Sequence, residues 1–234
     1  MRYKPGMNNN TTTLKKCLDT AKERIADACR RSGRSVDSVE LIAVTKTQPV
    51  EILQQLIDCG VSSLGENRVV EIVEKVPRLH GRFTMHCIGH LQTNKAAKVL
   101  PYVQMVQSVD RVRLIDALER HLPAERMLPV LIEVNTSGES SKNGCSTDES
   151  RMITERILAG GRLLPGGYMT IGPLGGSERS TREAFALLRK TAEATRDLIP
   201  DPQLSMGMSG DFEWAVEEGA TMVRLGTVLV GGRL

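Results

Sequence analysis

Lys46 has the most distinctive chemical setting of any residue in this chain. It follows the apolar run 41–44 and comes shortly before Pro49, a pattern typical of a short buried strand whose ladder cannot continue. Burial at such a strand end would disfavour the ammonium form and leave an amine that attacks carbonyl groups. The alternative is a lysine whose stem is buried while its ammonium group reaches solvent.

Small polar residues gather in two late segments of the chain where they could hold a phosphate group. Ser205, Gly207 and Ser209 precede a predicted helix, and Gly226 with Thr227 follows the last apolar run. Backbone N–H groups in glycine-rich loops and at helix N-termini bind phosphate, and hydroxyl groups add further donors. An ordinary turn before a capped helix would explain the first segment alone. The matching second loop favours a shared phosphate site.

Two further polar residues accompany apolar runs: Arg224 closes the last run, and Asn67 lies in the polar cluster after the second. Arg224 could donate a hydrogen bond to the nitrogen of an aromatic heterocycle and keep it unprotonated, or could pair with Glu66. Asn67 could bind a ligand hydroxyl, but we favour a role as a helix cap. His86 and His90 do not predict a metal site, because four residues in a strand and loop do not form one face.

Short apolar runs alternate with amphipathic stretches along the chain. The runs predict eight strands at 41–45, 61–64, 83–88, 105–107, 130–134, 163–169, 203–206 and 222–225. This alternation predicts an α/β fold, a single (β/α)8 TIM barrel, whose active groups follow the strands. An extra N-terminal helix is predicted from Leu14 to about Arg31. We predict a flexible N-terminal extension over residues 1–13 and one barrel domain over residues 14–234.

Composition argues against several classes of protein. The net charge is +3 with acids and bases intermixed, and aromatic residues make up only 3% of the chain, so a nucleic-acid surface is not predicted. No apolar stretch has membrane-spanning length, and the polar N-terminus lacks a signal core. The five widely spaced cysteines indicate a reducing compartment. We therefore predict a cytoplasmic protein, and a monomer because nothing in the sequence demands a dimer.

Several of these segments together resemble the pyridoxal phosphate homeostasis proteins, single-domain relatives of the alanine racemase barrel. The resemblance covers roughly residues 14–232, and its segments are "LIAVTKTQP", "LGENRVVE", "HCIGHLQTNK", "VLIEVNTSGESSKNG", "GYMTIGP" and "LSMGMSGDFEWAVEEGATMVRLGT". It implies pyridoxal 5′-phosphate as cofactor, with the Schiff base on Lys46 and the phosphate held by Ser205, Gly226 and Thr227. It also implies that Arg224 faces the pyridine nitrogen and that Asn67 lies near the cofactor ring.

The resemblance implies a role in vitamin B6 and amino-acid homeostasis without established turnover, with pyridoxal-phosphate-dependent apoenzymes as candidate partners. An unprotonated pyridine is a poor electron sink, and racemisation needs a second acid-base group. A racemase of the alanine racemase type, with Lys142 or His90 as that group, is the main rival. Two further functions fit the same residues: a Schiff-base aldolase without cofactor, and a pure interaction module.

Overall fold

Eight parallel strands form one closed barrel in this computed structural model, which describes residues 8–231, with side chains from residue 11. The strands pair in chain order, and β8 pairs with β1 to close the sheet. They are β1 Glu40–Val44, β2 Ser63–Glu66, β3 Thr84–Cys87, β4 Met105–Val109, β5 Leu128–Glu133, β6 Leu163–Met169, β7 Gln203–Met208 and β8 Met222–Leu225. The predicted (β/α)8 TIM barrel is confirmed.

Helices connect the strands and surround the barrel. They are α1 Asn8–Arg31, α2 Val50–Asp58, α3 Val69–Lys75, α4 Ala96–Val99, α5 Val112–His121, α6 Thr147–Gly160, α7 Glu178–Glu193, α8 Phe212–Glu217 and α9 Thr227–Val230. The extra N-terminal helix is confirmed, but it begins six residues before the predicted Leu14. Residues 1–7 of the predicted flexible extension lie outside the described residues, and the division into extension and barrel domain stays a prediction.

The strands are apolar because both of their faces are buried. One set of side chains packs inside the barrel, where Ile42, Leu131, Met169 and Met222 form a separate cluster. The other set packs against the helices in the main hydrophobic core. The barrel interior is therefore filled by side chains, and a ligand site has to lie at an end of the barrel.

Strand β6 forms although Pro165 and two glycines interrupt its apolar pattern. The register of β5 against β6 shifts next to this segment. Gly167 has a φ of 141°, and a Cβ atom there would lie 2.1 Å from the carbonyl oxygen of Gln203 on β7. The glycine therefore allows β6 and β7 to pair at a distance that a side chain would prevent.

Helix α1 packs its apolar face, which includes Leu18, into the main core. Two ion pairs join it to α8: Arg24 to Glu213 at 2.8 Å and Arg31 to Glu217 at 2.7 Å. Because α8 directly follows the loop after β7, these ion pairs from α1 fix the helix in which that loop ends. No helix within residues 8–231 is long and apolar enough to cross a membrane.

Candidate functional site

A cleft of about 360 Å³ opens at the C-terminal ends of the strands. It takes residues from both ends of the chain, because closure of the sheet brings β1 next to β8. Its lining residues are Val44, Lys46, Thr47, Gln48, Asn67, Ile88, Ile171, Met208, Ser209, Gly210, Arg224, Gly226, Thr227, Val230 and Gly231. Five of the six predicted site residues are thus brought together, and Ser205 is the exception.

Lys46 lies in the loop between β1 and α2, at the edge of the cleft. The expectation of a buried amine is wrong, since the Lys46 side chain is exposed. Between residues 8 and 231, no side chain or backbone group forms a hydrogen bond or ion pair with its ammonium group. The amine is therefore available to a ligand in the cleft.

Ser205 lies inside the barrel and not in a phosphate-binding loop. Strand β7 extends to Met208, two residues beyond its predicted end, so Ser205 is a mid-strand residue with no exposed surface. Its Oγ accepts a hydrogen bond from Arg224 at 2.7 Å and donates one to Gln107 at 2.8 Å. Both hydrogen-bonding functions of the hydroxyl group are therefore used within the protein.

Ser209, which the sequence analysis named in the candidate phosphate segment but which the resemblance did not assign to the phosphate, lines the cleft in place of Ser205. Its Oγ accepts hydrogen bonds from the N–H groups of Gly226 at 3.2 Å and Val228 at 3.4 Å, which joins the loops after β7 and β8. The N–H groups of Gly210 and Thr227 have no acceptor among the described residues. These loops therefore offer a hydroxyl group and free backbone donors side by side. The assignment of the phosphate to this segment stays a prediction, and within the segment Ser209 lines the cleft whereas Ser205 does not.

Arg224 lies at the floor of the cleft with only 4% of its surface exposed. Its guanidinium group donates to Ser205 and, at 2.7 Å, to the carbonyl oxygen of Thr170. Burial lowers the pKa of Arg224 to about 10, against the opposing charges of Glu133 and Asp211. The group therefore remains protonated near pH 7 and acts only as a donor.

Two other sequence interpretations change once Asn67 and Glu66 are placed. Glu66 pairs with Lys75 at 2.7 Å, and Arg224 forms no salt bridge in the part of the chain that the structure describes. The N-cap of α3 is Arg68, without a side-chain hydrogen bond, so the prediction that Asn67 caps this helix is wrong. The Oδ1 atom of Asn67 is buried without a partner among residues 8–231, so it can accept a hydrogen bond from a ligand.

Glu133, at the end of β5, is a titratable group that the sequence analysis missed. It is 5% exposed, and its Oε2 atom has no partner among the residues described. Burial, together with the charge of Asp110, raises the pKa of Glu133 to about 7, although Arg224 acts in the opposite direction. It lines a second cleft of about 150 Å³ that shares Ile171 with the first. The available signal was an acidic residue within the otherwise apolar run 130–134.

Comparison with known proteins gives the family. The model of the alanine racemase N-terminal domain matches residues 17–234. The pyridoxal phosphate homeostasis protein of Aquifex aeolicus is 38% identical over 220 residues, which cover 92% of this chain and 96% of that relative. The chain belongs to this family of homeostasis proteins. The resemblance stated from the sequence is therefore confirmed.

Solved structures of similar proteins share the fold along nearly the whole chain. A structure of an unknown protein from Bifidobacterium adolescentis matches with a TM-score of 0.89 and 34% identity, covering 97% of this chain and 98% of that one. PipY of Synechococcus elongatus, a structure with PLP bound, matches with a TM-score of 0.77 and 32% identity, covering 90% and 99%. A protein 32% identical to this chain has thus been solved with PLP bound.

Proposed function

We propose that this protein binds pyridoxal 5′-phosphate and serves intracellular vitamin B6 and amino-acid homeostasis, with little or no catalytic turnover. The observation that carries the proposal is the joint presence, in one cleft, of the Lys46 amine, Arg224 and the loops around Ser209 and Thr227. The volume of about 360 Å³ falls in the range of small-molecule sites, roughly 300–1,000 Å³. The relative with PLP bound supports the same ligand.

Different residues of the cleft would bind different parts of this ligand. Lys46 would supply the amine that condenses with the ligand aldehyde to a Schiff base, with loss of water. Ser209, Gly226 and Thr227 hold the phosphate through hydroxyl and backbone donors. Asn67 lines the same cleft and has a free amide oxygen, which would accept a hydrogen bond from the ligand. Ser205, which the resemblance assigned to the phosphate, instead accepts a hydrogen bond from Arg224.

Arg224 argues for a carrier more than for an enzyme. Its guanidinium group stays protonated, so it donates a hydrogen bond to the ring nitrogen and leaves that nitrogen unprotonated. When bound, pyridoxal phosphate supplies an electron sink for carbanions, and this sink is weak without a protonated nitrogen. The protein therefore holds the cofactor in a form that is poor for carbanion chemistry.

The racemase alternative lacks its second acid-base group in this cleft. Lys46 and Arg224 are the titratable side chains that line it within the described residues. His90, one of the two bases considered, lies 3.7 Å from Asp110. Lys142, the other, donates to the Glu139 carboxylate and to a backbone carbonyl. Neither residue lines the cleft, so we favour the carrier.

We propose that the protein works as a monomer in the cytoplasm, because nothing in its sequence demands a dimer. Pyridoxal-phosphate-dependent apoenzymes remain the candidate recipients of the cofactor.

The test is an absorbance spectrum of the purified protein with pyridoxal phosphate, before and after borohydride reduction, followed by peptide mass mapping. We expect a visible imine band in wild type that reduction fixes on Lys46. Lys46→Ala should lose the adduct at position 46, whereas Lys98→Ala, at an exposed lysine of α4, should retain it. Absence of the band in wild type would reject the proposal and favour an aldolase, and amino-acid turnover at ordinary enzyme rates would favour the racemase.

A further inference from the structure

The two peptide groups on either side of Lys46 are both fixed by side chains of α3. Lys75, the last residue of this helix, donates from Nζ to the carbonyl oxygen of Thr45 at 3.1 Å. The N–H group of Thr47 donates to Oε2 of Glu71 at 2.7 Å. The same Oε2 atom accepts a hydrogen bond from Lys75 Nζ at 2.6 Å. One ammonium group therefore organises the backbone both before and after Lys46.

The loop needs such support, because Thr47 has a φ of 65°. A β-branched residue rarely adopts this left-handed conformation, and surrounding contacts have to maintain it. The hydrogen bond from its N–H group to Glu71 is the contact that meets this need at Thr47 itself. Since φ and ψ of neighbouring residues set the direction of a side chain, this loop conformation sets where Lys46 points.

Lys75 is itself held in place by a buried acid. Glu66 has no exposed surface, and its Oε1 atom accepts hydrogen bonds from Lys75 at 2.7 Å and from the Thr45 hydroxyl at 2.9 Å. The three donors of the Lys75 ammonium group are thus directed at Glu66, Glu71 and Thr45. Only 12% of the Lys75 side chain is exposed, so its geometry is restricted.

We propose that Lys75 is a positioning residue that fixes the peptide groups flanking Lys46 and so aims the Lys46 amine into the cleft. Lys75 does not line the cleft, and its donors are engaged, so it acts through the loop and not on the ligand. This inference rests on the proposed function for its binding readout. Its backbone readout concerns the protein without ligand and is independent of that function.

The experiment compares Lys75→Met, which removes the donors, with Lys75→Arg, which keeps charge and donors, and with Lys98→Met as matched control. Affinity is measured for pyridoxal 5′-phosphate and for pyridoxine 5′-phosphate, whose alcohol cannot form an imine. Only the first ligand reports on the Lys46 amine, while both report on the rest of the cleft. Hydrogen exchange of the Thr47 amide is measured on each variant without ligand.

We expect Lys75→Met to lower the affinity for pyridoxal phosphate about tenfold and to change the affinity for pyridoxine phosphate less than about twofold. Its Thr47 amide should exchange faster, while Lys75→Arg should restore most of both properties and Lys98→Met should match wild type. An equal loss for the two ligands would mean that the cleft as a whole depends on Lys75. That result, or unchanged values for both readouts, would overturn the positioning role.

The positioning role remains testable if Lys75→Met does not fold, and also if wild type forms no adduct at Lys46. If Lys75→Met does not fold because Glu66 is left buried without a counter-charge, the pair Glu66→Gln/Lys75→Met is compared with Glu66→Gln alone. The single variant keeps the Lys75 donors, so the same ligand contrast then decides. If wild type forms no adduct at Lys46, the proposed function fails, and the exchange rate of Thr47 still decides whether Lys75 holds the loop.

Discussion

Two serines four residues apart on one segment have opposite surroundings. Ser205 has both functions of its hydroxyl group satisfied inside the barrel, by Arg224 and Gln107. Ser209 lines the cleft and joins two loops through backbone N–H groups. Since a phosphate group needs free donors at the surface of a cleft, the two hydroxyl groups should contribute to different properties of the protein.

Replacing each serine by alanine separates these properties. Ser209→Ala should lower the affinity for pyridoxine 5′-phosphate about tenfold or more, because hydrogen bonds to charged groups contribute about 1.5–3 kcal/mol. Ser205→Ala should instead lower the free energy of unfolding by about 1–3 kcal/mol, because it leaves one buried donor of Arg224 and the amide oxygen of Gln107 without a partner. Calorimetric titration and urea unfolding measure the two effects. The opposite pattern would return the phosphate contact to Ser205.

Glu133 should make the stability of the ligand-free protein depend on pH. The pKa of Glu133 is raised to about 7 in the folded protein from an ordinary value of 4.5. From pH 4.5 upward the unfolded chain ionises first, so folding stability falls until about pH 7 and is then constant. The difference is on the order of 3 kcal/mol. Glu133→Gln cannot ionise, so its stability relative to wild type should rise over this pH range in urea unfolding.

The control for this pH dependence is Glu23→Gln, a neutralisation of an exposed acid on α1. It should change stability by no more than about 0.5 kcal/mol at every pH. A stability difference between Glu133→Gln and wild type that stays constant from pH 4.5 to about 8 would show that the Glu133 carboxyl is not perturbed.

At the scale of elements, the strands could be predicted because a parallel sheet covered by helices is apolar throughout. Strands β6 and β8 have their predicted bounds. Strand β7 runs two residues further than predicted, because Gly207 and Met208 carry no pattern that separates strand from loop. Ser205 already lay within the predicted strand 203–206, and the two further residues place it in the middle of β7 and away from the end of the strand. Helix α9 has four residues and was missed because so short a segment shows no periodicity.

The pairing of β6 with β7 should depend on the absence of a side chain at Gly167. Gly167→Ala places a Cβ atom 2.1 Å from a backbone oxygen at a φ of 141°, so both overlap and conformational strain are expected. Gly138→Ala is the matched control, because its φ is 72° and no atom lies within 4 Å. We expect losses of about 3 kcal/mol or more and about 1 kcal/mol respectively. Equal losses in urea unfolding would contradict the close approach.

At the scale of the molecule, closure of the barrel creates the cleft. Lys46 and Thr227 are separated by most of the chain, yet they line the same cleft because β1 pairs with β8. A resemblance in sequence could assign these residues to one site without placing them. The hydrogen bonds from Lys75 and Glu71 on α3 to the backbone on either side of Lys46 could not be predicted. They depend on the bend of the chain at Thr47 and on the orientation of one helix end.

Ligand binding should therefore stabilise the barrel as a single unit. The unfolded chain cannot assemble this cleft, so pyridoxal phosphate at 100 times its Kd should add about 2.7 kcal/mol. For a chain of this length that corresponds to an increase in Tm of roughly 5–10 °C, seen as one transition in scanning calorimetry. Lys46→Ala at the same ligand concentration should show a smaller increase, because it lacks the imine. Two transitions, of which only one responds to the ligand, would mean that the strands lining the cleft unfold separately from the rest of the barrel.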